Sequence, residues 1–184
     1  MIVIVAGVSG SGKTTVGALL AGRLGWRFAD ADDFHPAANI AKMRAGIPLT
    51  DADRWPWLHA IAAWMDERIA RSESAVVTCS ALKRGYRDVL LAGRPEARLV
   101  FLSVDRSLLE RRLAARHGHF FPRQLLDSQL AAVDPVQPDE NAVTVTVGPG
   151  DDPAATVAAI IAVIWPGGGA APPARLGGDR EAEA

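Results

Sequence analysis

Residues 2–15, IVIVAGVSGSGKTT, constrain the fold of this chain more than any other segment. The first four are β-branched, which is typical of a parallel strand buried on both faces. The run GVSGSGKT at 7–14 follows at once and matches the spacing G-x-x-x-x-G-K-[ST]. A strand, a glycine-rich loop and a helix in this order form a P-loop, so we predict that the chain binds a nucleoside triphosphate.

Each part of this loop has a physical task. Glycines permit positive φ angles, so that successive backbone N–H groups can turn toward an anion. The helix that begins near Lys13 adds its own N–H groups and its positive dipole end. We expect Lys13 to reach the β- and γ-phosphates of ATP and Thr14 to ligate Mg²⁺. The residues predicted to bind the nucleotide are Gly7, Ser9, Gly10, Ser11, Gly12, Lys13, Thr14 and Thr15.

Length and composition narrow the class of protein. The 184 residues suit one α/β domain with a sizeable core. A net charge of −1 disfavours nucleic acid as the main partner. The single cysteine, Cys79, excludes an internal disulfide and suits a reducing compartment. The sequence also shows no secretion signal and no apolar run of the ~20 residues that span a membrane, so we expect a cytoplasmic protein.

Apolar runs alternate with segments of helical periodicity along the chain. This pattern predicts an α/β fold with a parallel five-stranded sheet, covered on both faces, and ligands at the carboxyl ends of its strands. The predicted strands are 2–5, 26–29, 75–79, 98–104 and 142–147, and the predicted helices are 15–24, 37–44, 51–71, 82–91, 108–116, 124–132 and 153–164. Thr50 and Asp53 resemble a capping box, and Pro56 predicts an irregular first turn in the helix that follows. The domain covers 1–165, and the Gly/Pro/Ala-rich residues 166–184 are predicted to form a disordered tail.

Two carboxylates are candidates for the chemistry of phosphoryl transfer. The chain lacks N-K-x-D and D-x-x-G motifs, which counts against a GTPase, and its third strand ends without the usual metal-binding Asp. Asp30 and Asp32 follow the second strand two residues apart, so they point to the same side of an extended segment. We assign Asp32 to the acceptor hydroxyl and Asp30 to the water shell of Mg²⁺. A solvated turn is the alternative.

Two groups of cations complete the predicted site. Arg112 and Arg116 lie four residues apart on one helical face, where they would contact adenine and the γ-phosphate. A solvated basic helix end is the alternative. Arg54, Lys83 and Arg84 follow the second and third strands and indicate an anionic acceptor, because guanidinium groups bind carboxylates in bidentate fashion. Ordinary surface salt bridges would explain these three residues equally well.

Five stretches, taken together, resemble the gluconokinase family of small P-loop sugar-acid kinases. They are GVSGSGKTT (7–15), DADDFHP (30–36), NIAKMRAGIPLTDADRWPWL (39–58), CSALKRGYRDVL (79–90) and ERRLAARHGHFFP (110–122). The P-loop is common to many proteins, whereas the pattern H-P-x-x-N-I-x-K-M-x-x-G-x-P-L-x-D-x-D-R-x-P-W-L and the run C-S-A-L-K are far more specific.

The resemblance implies Mg²⁺-dependent transfer of a phosphoryl group from ATP to the 6-hydroxyl of D-gluconate. It implies a three-layer fold like that of shikimate and adenylate kinases, with strand order 2-3-1-4-5, a helical acceptor region at 36–71 and a lid at 116–123. A homodimer is also implied. The catalytic residues would be Lys13, Asp32 and Arg116, and the substrate would contact Asp32, His35, Arg54, Lys83, Arg84 and His119.

Two other functions remain open at this level. A kinase of the same fold could act on another small hydroxy acid, such as shikimate, or on a nucleotide. The acceptor region 39–58 favours gluconokinases over nucleoside monophosphate kinases. A non-catalytic regulator that uses ATP to switch a partner is the second alternative, and the presence of Asp32 and of the lid arginines argues against it.

Overall fold

A computed structural model describes residues 1–115 and 123–166 of the chain. Within these ranges the strands form one parallel sheet in the order β2-β3-β1-β4-β5, which confirms the predicted topology. The strands are β1 (Ile2–Ala6), β2 (Arg27–Asp30), β3 (Ala75–Cys79), β4 (Ala97–Val104) and β5 (Ala142–Val147). The helices are α1 (Lys13–Leu24), α2 (Ala37–Arg44), α3 (Asp51–Ala70), α4 (Arg84–Leu91), α5 (Arg106–Ala114), α6 (Arg123–Ala131) and α7 (Pro153–Ile164), and a short 3₁₀ helix spans Ala31–Phe34.

The central strand β1 shows why the fold has three layers. All five of its residues are buried, and successive side chains point to opposite faces of the sheet. Ile2 and Ile4 join an apolar cluster with residues of α3 and α4, whereas Val3 and Val5 join a second cluster with residues of α1 and α7. Each face of the sheet is therefore covered by its own helices. No helix within the described residues is long and apolar enough to span a membrane.

Helix α1 approaches the sheet at a distance that requires glycine. A Cβ atom on Gly17 would lie 2.7 Å from Cγ2 of Thr78 on β3 and 3.1 Å from Cε2 of Phe28 on β2. Real Cβ atoms essentially never come as close as the first of these distances. The missing side chain at Gly17 thus sets the spacing between the helix that follows the P-loop and the edge of the sheet.

Helix α3 begins as the sequence predicts but does not respond to its proline as expected. The Thr50 hydroxyl accepts from the backbone N–H of Asp53, whose carboxylate accepts from the backbone N–H of Thr50, so the capping box is confirmed. The predicted irregular first turn is wrong, because Pro56 lies inside a continuous helix. At the sixth helical position Pro56 forgoes one backbone hydrogen bond without breaking the helix.

Some predicted boundaries shift for local reasons. Trp26 lies outside β2, since its backbone N–H donates to the carbonyl of Ala21 and closes the end of α1. Helix α4 begins at Arg84 rather than at residue 82, because the chain first passes through Ala81 with φ +40. The bounds of α2, β3, β5 and α7 agree with the prediction.

A buried ion pair holds the segment before α4. Arg87 and Glu140 have side chains 0 % and 1 % exposed, with 2.9 Å between Arg87 Nη2 and Glu140 Oε1. Arg87 Nη1 also donates to the carbonyl oxygens of Leu82 and Asp134. These contacts fix the stretch that carries Lys83 against the loop before β5.

Candidate active site

Three chain segments meet at the carboxyl end of the sheet. The P-loop follows β1, the 3₁₀ helix follows β2, and residues 80–83 follow β3. Because these strands are adjacent and parallel, their carboxyl ends share one edge. The backbone N–H of Gly7 donates to the carbonyl of Ser80 at 3.3 Å, which joins the first segment to the third.

The P-loop has the backbone shape that its glycines predict. Gly7, Gly10 and Gly12 have φ angles of 143°, 81° and 97°, a region that side chains disfavour. Gly12 precedes α1 without a side-chain hydrogen bond to the helix, so the first N–H groups of α1 face the loop without a side-chain cap. Lys13 Nζ donates to the carbonyl of Val8 at 3.0 Å and so lies over the loop. This arrangement can bind a phosphate group.

Side chains from α5 and α6 hold the loop from outside. Arg112 Nη1 donates to the carbonyl of Ser11 at 3.2 Å, which places this predicted nucleotide-binding arginine beside the P-loop. Gln129 contacts Ser9 twice: its Oε1 accepts from the Ser9 N–H at 2.8 Å, and its Nε2 donates to Ser9 Oγ at 3.0 Å. Sequence reasoning missed Gln129, because no motif marks it and its partner lies 120 residues away. Arg116 lies outside the described residues.

Thr14 and Asp30, the residues predicted to hold Mg²⁺, lie in direct contact. Thr14 Oγ1 donates to Asp30 Oδ2 at 2.8 Å, and Asp30 Oδ1 accepts from the backbone N–H of Asp32 at 3.1 Å. Oxygen donors suit Mg²⁺, which takes one or two protein ligands and fills its remaining positions with phosphate oxygens and water. Within the described residues no group of three or more His, Cys, Asp or Glu side chains could hold a metal. The donor set therefore fits Mg²⁺ brought in with a nucleotide.

Asp32 is accessible but electrostatically perturbed. Its side chain is 88 % exposed, as an acceptor-binding carboxylate must be. The protein around the cleft reduces the solvation of this carboxyl group, and the charge of Asp30 adds to the effect, so its pKa is raised above the ordinary value of 3.8. A carboxylate with a raised pKa is a better proton acceptor. Asp32 is thus accessible, and its carboxyl group has a raised pKa.

His35 is held against the acceptor side of the cleft. Its ring stacks on Trp57 with a centroid distance of 4.4 Å and an angle of 9°, and burial lowers its pKa. Asn39 Nδ2 donates to the carbonyl of Asp53 at 2.8 Å and lies 3.4 Å from His35 Nδ1. This orientation of Asn39 makes Nδ1 the acceptor, which leaves the proton of the neutral ring on Nε2. Nε2 lies 4.0 Å from Asp32 Oδ1.

Lys83 and Arg54 meet at one carboxylate, that of Asp51. Lys83 Nζ donates to both oxygens of Asp51 at 2.9 and 2.8 Å, and the Tyr86 hydroxyl donates to Asp51 Oδ1 at 2.6 Å. Arg54 Nη1 lies 3.7 Å from the same oxygen and donates to the Tyr86 hydroxyl at 3.5 Å. We call these four residues the Asp51 cluster. The sequence analysis identified its two cations but missed Asp51 and Tyr86.

The remaining candidates lie elsewhere. Arg84 Nη1 and Nη2 each donate to a carboxylate oxygen of Asp139 at 3.0 Å, and Arg84 Nε donates to Asp88 at 2.7 Å. The guanidinium of Arg84 is thus paired toward the loop before β5 and is not brought to the Asp51 cluster. His119 and most of the predicted lid lie outside the described residues. Burial raises the pKa of Cys79 to about 12, in keeping with a structural role.

Comparison with known proteins places these features in a family. Residues 2–136 match the model of a family described as "AAA domain". The gluconokinase of Gluconobacter oxydans is 47 % identical over 143 residues, which cover 78 % of this chain and 80 % of that protein. The chain belongs to the gluconokinase family.

Solved structures of similar proteins agree with this membership of the gluconokinase family. A gluconokinase from Sinorhizobium meliloti is 42 % identical, with a TM-score of 0.74 over 88 % of this chain and 94 % of that one. An unliganded sugar kinase from Janibacter is 44 % identical, with a TM-score of 0.81 over 89 % and 93 %. The predicted family and fold are therefore confirmed.

Proposed function

We propose that this protein is a gluconokinase, which transfers the γ-phosphoryl group of ATP to the 6-hydroxyl of D-gluconate with the help of Mg²⁺. The observation that carries the proposal is the position of Asp32. This accessible carboxylate lies two residues after Asp30, which is hydrogen-bonded to Thr14, and it faces His35. The cations of the Asp51 cluster lie on the same side of the sheet. A sugar acid supplies both a hydroxyl for Asp32 and a carboxylate for the cations.

Asp32 acts as the general base of the transfer. The substrate hydroxyl gives its proton to the Asp32 carboxylate as its oxygen bonds to the γ-phosphorus. The bond from that phosphorus to the β,γ-bridging oxygen breaks, and ADP leaves with the electron pair. The Nε2–H of His35 faces Asp32 at 4.0 Å and favours the orientation in which the carboxylate meets the hydroxyl.

The nucleotide side of the site neutralises phosphate charge. Lys13, the P-loop N–H groups and the N-terminus of α1 surround the β- and γ-phosphates, and this preorganised positive field stabilises the charge of the transition state. Thr14 would hold Mg²⁺, with Asp30 in its water shell, and the ion would supply positive charge that offsets the negative charge of the phosphates. Arg112 lies where it can contact the nucleotide, and Arg116 remains the predicted partner of the γ-phosphate.

The acceptor side orients the substrate. Arg54 and Lys83 bind the carboxylate of gluconate, which leaves its far hydroxyl near Asp32. The assembly and location extend the same proposal: a cytoplasmic homodimer without a nucleic-acid or membrane partner. The family resemblance supports the dimer, the single buried cysteine suits a reducing compartment, and the small net charge disfavours a nucleic-acid partner.

The deciding experiment measures ADP release from ATP and Mg²⁺ with D-gluconate, shikimate, AMP or no acceptor. We expect turnover with gluconate to exceed that with each other addition by at least ~100-fold, a typical effect of a positioned catalytic group. Turnover with shikimate or AMP instead would overturn the acceptor assignment but retain the kinase mechanism. ATP binding without acceptor-dependent turnover would favour the regulator.

A further inference from the structure

The Asp51 cluster contains a negative charge where an anionic substrate is expected to bind. Asp51 is the first residue of α3, and its carboxylate receives hydrogen bonds from Lys83 and Tyr86, with Arg54 close by. Polar groups from α3, α4 and the loop before α4 therefore converge on this carboxylate. Such an arrangement requires an explanation beyond ordinary surface pairing.

Fold stability does not supply that explanation. The side chains of Asp51 and Lys83 are 47 % and 39 % exposed, and ion pairs at such positions add little to the free energy of unfolding. The helix already has its capping box at Thr50 and Asp53, so α3 does not need Asp51 as a cap. The pKa of Asp51 is lowered, first by the hydrogen bond from Lys83 and then by that from Tyr86, so the group stays charged at neutral pH.

We propose that Asp51 sets the charge of the acceptor pocket and thereby its selectivity for a carboxylate over a dianionic oxyanion. The proposal rests on the proposed function, since it takes Arg54 and Lys83 as the groups that bind the acid end of the substrate. With Asp51 ionised, the cluster carries one net positive charge. One carboxylate neutralises this charge, whereas a dianion would leave a surplus negative charge beside Asp51.

The neighbouring titratable groups leave this charge balance unchanged. Lys42 is paired with Asp53, with 2.7 Å between Nζ and Oδ1. Burial lowers the pKa of His35, so this side chain is neutral at physiological pH. Arg84 is paired with Asp139 and Asp88. The charge at the end of the pocket that faces the acid group therefore depends on Arg54, Lys83 and Asp51, while Asp32 adds a negative charge at the hydroxyl end.

Selectivity of this kind matters in a phosphoryl-transfer enzyme. The reaction fills the cleft with phosphate groups, and the product carries a carboxylate at one end and a phosphate at the other. Without Asp51 the product could bind in reverse, with its dianionic phosphate on Arg54 and Lys83. The Asp51 carboxylate opposes that orientation, because repulsion scales with the charge of the ligand. Asp51 thus favours binding of the substrate carboxylate at Arg54 and Lys83, and it disfavours binding of the product's phosphate group there.

Sulfate is a suitable probe, because it is a dianion throughout the neutral pH range. Inhibition by sulfate is measured against D-gluconate at saturating MgATP, so that the nucleotide occupies the P-loop and displaces sulfate from it. In Asp51→Asn we expect the ratio of the sulfate inhibition constant to the gluconate KM to fall about tenfold, the order of effect of one nearby charge. Asp51→Glu should restore the ratio. The matched control is Asp66→Asn, which neutralises another half-exposed carboxylate of α3, one that is paired with Arg94.

Two results would overturn the proposal. If Asp51→Asn raises the gluconate KM and the sulfate constant by the same factor, Asp51 merely holds Lys83 in place. If neither constant changes, Asp51 plays no part in the pocket. Thermal unfolding of each variant checks that α3 remains folded.

The proposed function can fail separately from this inference. If the wild-type protein shows no turnover with gluconate, the function fails. Calorimetric titration of sulfate into the MgADP complex then still tests the charge argument. Sulfate should bind Asp51→Asn about a hundredfold more tightly than the wild type, because a dianion gains twice the free energy that a monoanion gains. If sulfate binds both proteins with equal affinity, Asp51 does not set the charge of the pocket.

Discussion

The nucleotide side and the acceptor side of the cleft are built in different ways. The P-loop is a run of consecutive residues in which glycines with positive φ angles allow backbone N–H groups to face a phosphate. The acceptor side joins Asp32, His35 and the Asp51 cluster, which come from segments far apart in the chain. Their positions depend on side-chain contacts such as Trp57 Nε1 to the carbonyl of Ala31 at 2.6 Å.

This difference has a consequence for how the two sides tolerate change. A backbone N–H survives almost any substitution, so the phosphate site is insensitive to most single side-chain losses, Lys13 excepted. The acceptor side has no such protection, because each of its contacts belongs to one side chain. Specificity for the acceptor is therefore easier to alter than the use of a nucleoside triphosphate.

We expect the largest effect on activity when one catalytic side chain is removed from either side of the cleft. We expect Lys13→Ala and Asp32→Ala each to lower kcat at least ~100-fold, because each loses a positioned catalytic group. Steady-state kinetics with D-gluconate measures the loss, and circular dichroism checks the fold. Near-normal turnover in either variant would contradict its assigned role.

Asp32 also predicts the pH dependence of the wild-type protein. As a base Asp32 must be deprotonated, and its pKa is raised by reduced solvation in the cleft and by the charge of Asp30. We therefore expect kcat/KM for gluconate to fall with decreasing pH around a midpoint above the ordinary carboxyl value of 3.8. A pH–rate profile with no such acidic limb above that value would remove Asp32 from the role of base.

Two arginines that follow neighbouring strands should differ in their contribution to gluconate binding. Arg54→Leu should raise the KM for gluconate about tenfold or more, since it removes a charge-assisted hydrogen bond, and should leave ATP binding unchanged. Arg84→Leu should change that KM less than about threefold, because the Arg84 guanidinium is paired with Asp139. Initial rates over a range of gluconate concentrations decide between them. If both variants raise the KM for gluconate equally, Arg84 also contacts the acceptor.

Gln129 tests whether side chains matter on the nucleotide side too. Gln129→Leu removes both contacts with Ser9 and should raise the KM for ATP about five- to tenfold, the equivalent of roughly one net hydrogen bond. The KM for gluconate should stay constant. Gln137→Leu is the control, since Gln137 Nε2 donates to the carbonyl of Pro135 outside the site. An unchanged ATP KM in Gln129→Leu would mean that the backbone alone holds the loop.

The smallest expected effect concerns the stability of the acceptor side. The pKa of Asp53 is lowered to about 2 by hydrogen bonds from Lys42 and Thr50. Because the folded-state pKa is depressed, Asp53 stabilises the fold above pH ~4 and loses that effect as the pH falls toward 2. Thermal melts of wild type and Asp53→Asn should therefore differ at neutral pH and converge in this acidic range. A constant difference across the range would rule out the ionised carboxylate as the cause.

The sequence predicts features that depend on local motifs, and it misses contacts between side chains that are distant in the chain. The P-loop and the Thr14–Asp30 pair depend on local motifs and on the rule that adjacent parallel strands end at one edge, so they were predictable. Gln129 was not, because its partner is distant in the chain and any polar residue on a helix looks the same in sequence.

Lys83 and Arg84 show most clearly what the sequence alone does not predict. They are neighbours in sequence and both follow β3, yet Lys83 turns to Asp51 and Arg84 to Asp139. The reason is that α4 begins between them, after a left-handed residue at Ala81. A turn with φ +40 at an alanine has no sequence signature, so composition alone could not separate the two cations.

Gly17 carries a consequence for the metal site. It lies one turn along α1 from Thr14, and it packs against Phe28, two residues before Asp30. A methyl group there would act as a wedge, lifting α1 from the sheet and drawing the Thr14 hydroxyl away from its partner. The distance between Thr14 and Asp30, the residues proposed to hold Mg²⁺, therefore depends on the absence of a side chain at Gly17.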